Sequence, residues 1–239
     1  MKIVVIGDDE LIGSKLVNKL RQLGHEIVAA SLASGVNTIT GEGLVDALKD
    51  AQVVVDVANL PSFGEKTVPE FFEASAYNIL AEGTYAGVRH HVTLSIVGTD
   101  RFLDRSYFRA KMARENLIKQ SGIPYTIIHS TQFYEFVGSI AQLATTGHEV
   151  HVAPAFVQPI ASEDVVAAIA EISTAPAVNA IVEIAGPERL RLSEFVSRYL
   201  YLTGDTREVF TDLHANYFGA ALNDQLLIPG ESHRIGKIR

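Results

Sequence analysis

The chain has 239 residues, of which 47% are hydrophobic and 20% are charged, and it contains no cysteine. This length suits one α/β domain with a full core, and the composition excludes a disordered chain. The formal net charge of −8 argues against nucleic-acid binding, and the lack of cysteine excludes disulfides, thiolate catalysis and cysteine-ligated metals.

Short β-branched runs alternate with longer amphipathic stretches, which is typical of a parallel sheet covered by helices. The strands lack polar alternation, and this indicates burial on both faces. In the first half of the chain we predict strands at 3–6, 27–30, 53–57, 92–96 and 125–128, and helices near 11–23, 42–50, 67–86 and 106–121.

Beyond residue 130 the alternation becomes less regular. We predict helices near 132–146, 162–174 and 192–203, strands near 149–152 and 181–185, and a partial helix with a tail over 204–239. The fold expected is a Rossmann-like, doubly wound parallel α/β sheet over 1–130. Residues 131–239 are expected to form a small C-terminal α/β cap that binds substrate and packs on the core. An alternative is that some of its strands return to the core sheet.

The first apolar run, Ile3–Ile6, ends at Gly7 and is far too short for a signal peptide or a membrane span. No stretch of about 18 uninterrupted apolar residues occurs elsewhere. We therefore expect a cytoplasmic protein, a monomer or homodimer, whose partner is a small molecule rather than a membrane or a nucleic acid.

The strand, glycine turn and helix at the N-terminus form the frame of a dinucleotide site. The turn keeps the outer glycines, Gly7 and Gly13, but Glu10 stands where a middle glycine would let the backbone approach a pyrophosphate. Asp8 and Asp9 precede it. One carboxylate about 5 Å from a phosphate charge costs roughly 1–3 kcal/mol at an effective dielectric constant of about 80 to 20. These acids also suit a helix N-terminus, where negative charge is favoured.

The loop after the second predicted strand, residues 30–35, carries neither the acid that NAD enzymes place there nor the cation that NADP enzymes use. Together with the acidic turn, this predicts that no dinucleotide is tightly bound; the alternative is NADPH or NADH. If a dinucleotide binds, the residues expected to contact it are Gly7, Leu11, Ile12, Gly13, Ala58 and Asn59.

Tyr107 and Lys111 are four residues apart, on one face of a predicted helix, and Ser95 ends the preceding strand. A lysine beside a tyrosine hydroxyl lowers its pKa, which suits proton transfer at a carbonyl or hydroxyl, and a serine can hold the substrate oxygen. The spacing alone also arises by chance. It gains weight because the pair opens a helix where the carboxyl ends of the strands converge, and we predict these three residues as catalytic.

His129, Gln132, Phe133 and Phe136 follow a predicted strand and are candidates for the lining of a substrate pocket. His129 is either a second acid/base group or a structural histidine, and an aromatic stripe at helical spacing is often only core. No metal site is predicted, since the adjacent histidines at 90 and 91 face opposite sides of a strand.

Several motifs occur together in this chain: the Gly7…Gly13 loop, Val55–Asn59, Ser95, Tyr107…Lys111, Gly122–Ile128 and Pro159–Val165. In these motifs the chain resembles the atypical short-chain dehydrogenases/reductases of the NmrA-like type, with a degenerate dinucleotide-binding loop. The resemblance implies a Rossmann-like core, a small C-terminal substrate domain and, usually, NAD(P)H. It also implies Tyr107 as acid/base, Lys111 as pKa tuner and ribose anchor, and Ser95 as substrate-oxygen donor.

Three functions follow as hypotheses. The favoured one is a non-redox enzyme of the isomerase, cyclase or lyase type, which uses Tyr/Lys/Ser acid–base chemistry on a small carbonyl or hydroxy compound. The second is an NAD(P)H-dependent reductase of a carbonyl or quinone substrate. The third is a non-catalytic ligand sensor, against which the complete Tyr107, Lys111 and Ser95 set argues.

Overall fold

A computed structural model describes residues 1–59, 68–101, 106–218 and 220–238. The helices are α1 Leu11–Gln22, α2 Leu44–Leu48, α3 Val68–Tyr85, α4 Ser106–Gln120, α5 Val137–Leu143, α6 Ser162–Thr174 and α7 Leu192–Thr203, with 3-10 turns at Leu32–Ser34 and Tyr134–Phe136. None of the helices in the described part of the chain has the length and apolar character needed to cross a membrane.

The strands in the described part of the chain are β1 Lys2–Ile6, β2 Glu26–Ala30, β3 Val53–Asp56, β4 His90–Ile96, β5 Tyr125–Ser130, β6 Thr145–Thr146, β7 Glu149–Val152, β8 Phe156–Val157, β9 Ala180–Ala185, β10 Leu190–Arg191, β11 Glu208–Thr211, β12 Asn216–Tyr217, β13 Ala220–Ala221 and β14 His233–Ile235. Seven of them form a parallel sheet in the order β14-β9-β5-β4-β3-β1-β2. The predicted Rossmann-like α/β class is confirmed.

Two predicted elements differ from the structure. The single helix expected near 132–146 is instead a 3-10 turn, α5 and then β6, which pairs antiparallel with β7 across a turn at Gly147. The partial helix expected within 204–239 is wrong for the described residues, where the regular elements are strands. The β-branched and aromatic residues of β11 explain this, since they favour a pleated strand and pair parallel with β7.

The chain forms two compact units. The first contains the described residues of Met1–Ser95, Leu103–His129 and Val165–Val182, and the second those of Ile96–Phe102, Ser130–Asp164 and Glu183–Arg239. In the first unit Ile3–Ile6 of β1 are buried, and Val4 and Ile6 pack with apolar side chains of β3, α2 and α3 into one core. This burial matches the lack of polar alternation in the strand sequences.

Strand β1 lies between β2 and β3, with Ile6 in register with Ala30 on one side and Asp56 on the other. The chain therefore leaves β1 in one direction and returns on its opposite side, which makes the carboxyl ends of β1 and β3 a topological switch point. In open α/β sheets, ligands bind in the crevice at such a point.

The two glycines kept in the β1–α1 turn are required by contacts within the protein itself. Gly7 has a φ of +85°, and a Cβ there would lie 2.7 Å from Ala58 Cα. A Cβ on Gly13 would lie 1.9 Å from the Gly7 carbonyl oxygen. The presence of Gly7 thus follows from its positive φ and the close approach of Ala58, and that of Gly13 from the close approach of α1 to the turn. Neither glycine by itself indicates a ligand.

We expect Gly13→Ala to lower the free energy of unfolding by at least about 1–3 kcal/mol, because the new methyl group meets backbone that cannot move aside cheaply. The matched control is Gly83→Ala in α3, where a Cβ would make only ordinary contact, 3.4 Å from a flexible Ile123 side chain. That change should stabilise by about 0.5–1 kcal/mol. Urea unfolding measures both, and equal midpoints for the two variants would contradict the prediction.

Candidate functional site

Glu10 directly precedes helix α1, and its side chain reaches from the β1–α1 turn to the end of β3. Its backbone is extended, and the side chain makes no capping bond to its own helix. Instead, the carboxylate Oε1 accepts a hydrogen bond of 2.7 Å from the backbone N–H of Asn59. The carboxylate therefore spans the switch-point crevice between the ends of β1 and β3.

Burial is the main influence on the charge of Glu10. It raises the pKa of the carboxyl to about 7, and the neighbouring charges of Asp56 and Asp9 act in the same direction. The Asn59 N–H and the Lys111 ammonium partly oppose the rise. Near neutral pH, Glu10 is therefore present in both its neutral and its ionised form.

Tyr107, in the first turn of α4, points its hydroxyl towards the same crevice residue. The hydroxyl donates to Asn59 Oδ1 at 3.0 Å, and the ring packs edge-on against Phe72 and Phe108. Burial raises the pKa of Tyr107, although the Asn59 hydrogen bond opposes this. The direction is opposite to the one expected from the Tyr107/Lys111 pair, and the phenol stays protonated in the resting protein.

Lys111 lies one turn further along α4 and is only 5% exposed. Its Nζ is 4.9 Å from the centroid of the Phe72 ring and 5.3 Å from that of Tyr107. Burial, followed by the positive charge of Arg114, lowers the pKa of Lys111 to about 7. Tyr107 and Lys111 are thus brought together as the sequence predicted, but desolvation rather than their mutual charge controls both groups.

A buried ion pair fixes the end of β3 beneath these residues. The Arg114 guanidinium pairs with the Asp56 carboxylate and donates to the backbone oxygens of Asp56 at 3.2 Å and Ala58 at 3.4 Å. The other Asp56 oxygen accepts from the Ala58 N–H at 3.1 Å. Sequence reasoning missed Arg114, although it lies three residues after Lys111 and so on a neighbouring part of the same helix face.

Ser95 and His129 meet at a third side chain, Glu115 of α4, which sequence reasoning also missed. The Ser95 hydroxyl donates to Glu115 Oε1 at 2.6 Å, and His129 Nε2 lies 2.9 Å from the same oxygen. All three side chains are buried. Burial acts to raise the pKa of Glu115, but the hydrogen bonds from His129 and Ser95 prevail and lower it. This arrangement favours the structural interpretation of His129.

The other predicted pocket residues belong to the second unit. Gln132 accepts a hydrogen bond from the Tyr217 hydroxyl, and the rings of Phe133 and Phe136 stack with their centroids 5.8 Å apart. Phe136 is exposed. Their role in lining a substrate pocket stays a prediction.

No group of three potential metal ligands occurs within the described ranges. His90 Nε2 lies 2.9 Å from the Thr126 hydroxyl, and His91 is buried, with a pKa that burial lowers to about 4. The two adjacent histidines therefore have separate surroundings within the sheet.

The comparisons with known proteins concern the family and the fold of the chain. The sequence profile of a family described as NAD(P)H-binding matches residues 12–176, well over half of the chain. A comparison with curated protein sequences gave no match.

Several solved structures are similar to this chain. One is MoeE5 in complex with UDP-glucuronic acid and NAD, at 21% identity over 90% of each chain and a TM-score of 0.72. Another is a short-chain dehydrogenase/reductase superfamily protein from Agrobacterium tumefaciens with bound NAD, at 15% identity over 99% of this chain and 89% of that chain, TM-score 0.72. A third is the NADPH-dependent quinone oxidoreductase QOR2 from Escherichia coli, complexed with NADPH, at 16% identity over 89% and 78%, TM-score 0.71. At these identities the likeness shows the fold.

Proposed function

The chain belongs to the NAD(P)H-binding family, and on that premise we propose that it is an enzyme that transfers a proton at an oxygen of a small carbonyl or hydroxy compound, without a tightly bound dinucleotide at neutral pH. The reaction is a non-redox one of the isomerase, cyclase or lyase type. The observation that carries the proposal is the position of the Glu10 carboxylate in the switch-point crevice, where its Oε1 accepts a hydrogen bond from the backbone N–H of Asn59.

The residues of the turn do not fit a dinucleotide pyrophosphate while Glu10 is ionised. The retained glycines, Gly7 and Gly13, serve the packing of the turn against Ala58 and α1. The middle position, whose missing side chain would serve the ligand, carries a carboxylate instead. At about 5 Å this charge opposes a phosphate by roughly 1–3 kcal/mol at effective dielectric constants of about 80 to 20.

Tyr107 is the proposed proton donor. Asn59 Oδ1 orients the protonated hydroxyl, and the side chain is only partly buried, although the burial that raises the pKa of Tyr107 opposes release of the proton. The proton moves from Tyr107 Oη to the substrate oxygen and leaves a phenolate. The charged form of Lys111, whose Nζ lies against the Tyr107 ring, stabilises that phenolate.

An NAD(P)H-dependent reductase of a carbonyl or quinone compound is the second candidate. It is favoured by the family match and by neighbours that were solved with NAD or NADPH. In that case the start of α1 and the end of β3 would hold the dinucleotide, which supplies hydride when bound. The residues concerned are Gly7, Leu11, Ile12, Gly13, Ala58 and Asn59.

Calorimetric titration with NADH and NADPH at neutral pH tests the choice. We expect no binding at micromolar dinucleotide, because the Glu10 side chain fills the middle position of the turn and its ionised fraction also repels the pyrophosphate. A parallel screen of carbonyl and hydroxy compounds, with and without dinucleotide, should find turnover in its absence. Micromolar binding, together with turnover only in the presence of NADH or NADPH, would overturn the proposal and support the reductase.

A further inference from the structure

Glu10 lies in the crevice as a titratable group with one hydrogen-bond partner across it, the backbone N–H of Asn59. The backbone of Glu10 lies at the start of α1. Its Oε1 accepts a hydrogen bond of 2.7 Å from the backbone N–H of Asn59, which follows β3. The side chain is neither fully exposed nor fully enclosed. A group in this position must be accommodated by any ligand that enters between β1 and β3.

The charges that face Glu10 come from three elements. Its own turn contributes the acidic Asp9, with Asp8 beside it; β3 contributes Asp56, which is paired with Arg114; and α4 contributes Lys111. The two aspartates that act on Glu10 favour its neutral form, and Lys111 favours its ionised form. Because these charges oppose one another, Glu10 gains or loses its proton as the pH of the solution changes near neutrality.

We propose that Glu10 is a proton-operated plug of the dinucleotide crevice, which excludes a pyrophosphate when ionised and admits one only weakly when protonated, because the side chain still fills the middle position. The inference rests on the proposed function, in which no dinucleotide is tightly held at neutral pH. It adds that the exclusion is conditional, and that the protonation state of Glu10 sets how far a pyrophosphate is opposed.

The expected pH dependence follows from the sign of the charge. An ionised Glu10 repels the pyrophosphate and keeps its hydrogen bond from the Asn59 backbone N–H. A protonated Glu10 does not repel the pyrophosphate and can donate a hydrogen bond to one of its oxygens. Affinity is thus gained as pH falls through about 7 and lost as pH rises. Binding limited to the protonated form should be about tenfold weaker at about pH 8 than at about pH 6.

The test is calorimetric titration of the full chain with NAD⁺ at about pH 6 and about pH 8. A separate titration with NADP⁺ is made at the same two pH values. NAD⁺ is the main ligand because its pyrophosphate stays ionised throughout. We expect the wild type to show the roughly tenfold pH effect. Glu10→Gln keeps the size of the side chain without its charge, and it should bind at both pH values at least as tightly as the wild type does at the lower one.

Asp9→Asn is the matched control. Asp9 directly precedes Glu10 and is exposed, so the change removes an equal charge that does not lie in the crevice. It should keep the pH effect, and thermal unfolding should show all variants folded. Weak, pH-independent binding in both the wild type and Glu10→Gln would overturn the plug while the proposed function stands. Micromolar binding by the wild type at about pH 8 would overturn both.

Discussion

Replacing Tyr107 by phenylalanine is expected to lower turnover about 10²- to 10⁴-fold, which corresponds to about 3–5 kcal/mol of lost transition-state stabilisation. The hydroxyl is the proposed proton source, and the phenyl ring that remains can still pack against Phe72 and Phe108. The fold should persist, since a single hydrogen bond to Asn59 is worth about 1 kcal/mol. Steady-state kinetics with a compound found in the turnover screen measures the effect.

Tyr77→Phe is the control for this change. Tyr77 lies on α3 with most of its surface exposed, so the loss of its hydroxyl should leave both turnover and thermal unfolding unchanged. A purely structural role for the Tyr107 hydroxyl would lower the unfolding temperature of Tyr107→Phe and leave kcat intact. That outcome would remove Tyr107 from the chemistry.

Replacing Arg114 by leucine is expected to lower the free energy of unfolding by about 3–5 kcal/mol. The change leaves the Asp56 carboxylate, which is 2% exposed, without its counter-charge in the core. It also removes the two hydrogen bonds that the guanidinium donates to the backbone at the end of β3. Urea unfolding followed by circular dichroism measures the loss.

An exposed ion pair provides the comparison. Arg198 of α7 pairs with Glu188 at 3.0 Å and with Glu194 at 2.7 Å, and solvent reaches all three side chains. Arg198→Leu should hardly change the unfolding midpoint, because exposed pairs are screened by water. The double variant Asp56→Asn/Arg114→Leu should recover part of the loss, since no unpaired charge remains. Equal effects of Arg114→Leu and Arg198→Leu would show that the buried pair does not brace β3.

The local elements of the site could be predicted from the sequence, because they depend on short-range patterns. The uninterrupted β-branched run of β1 indicates a buried strand, and the spacing of Tyr107 and Lys111 places them on one helix face. The change from glycine to Glu10 is also visible in the sequence, since the frame around it is local. These features were sufficient for the Rossmann-like class and for doubt about tight dinucleotide binding.

The strands within residues 204–239 could not be predicted from the sequence. Strand β11 is only four residues long and pairs with β7 from a distant part of the chain. Strand β14 joins the edge of the seven-stranded sheet beside β9. A short strand carries little periodicity of its own, and its partner decides whether it forms.

The tertiary structure decided which groups are in contact and how far each is shielded from solvent. The contact between Glu10 and Asn59 joins residues 49 positions apart, and the Asp56–Arg114 contact joins residues 58 apart. Glu115 became a partner of Ser95 only when α4 packed beside β4 and β5. Burial then reversed the expected direction for the pKa of Tyr107, because desolvation depends on everything packed around a group, whereas spacing along a helix records only its nearest neighbours.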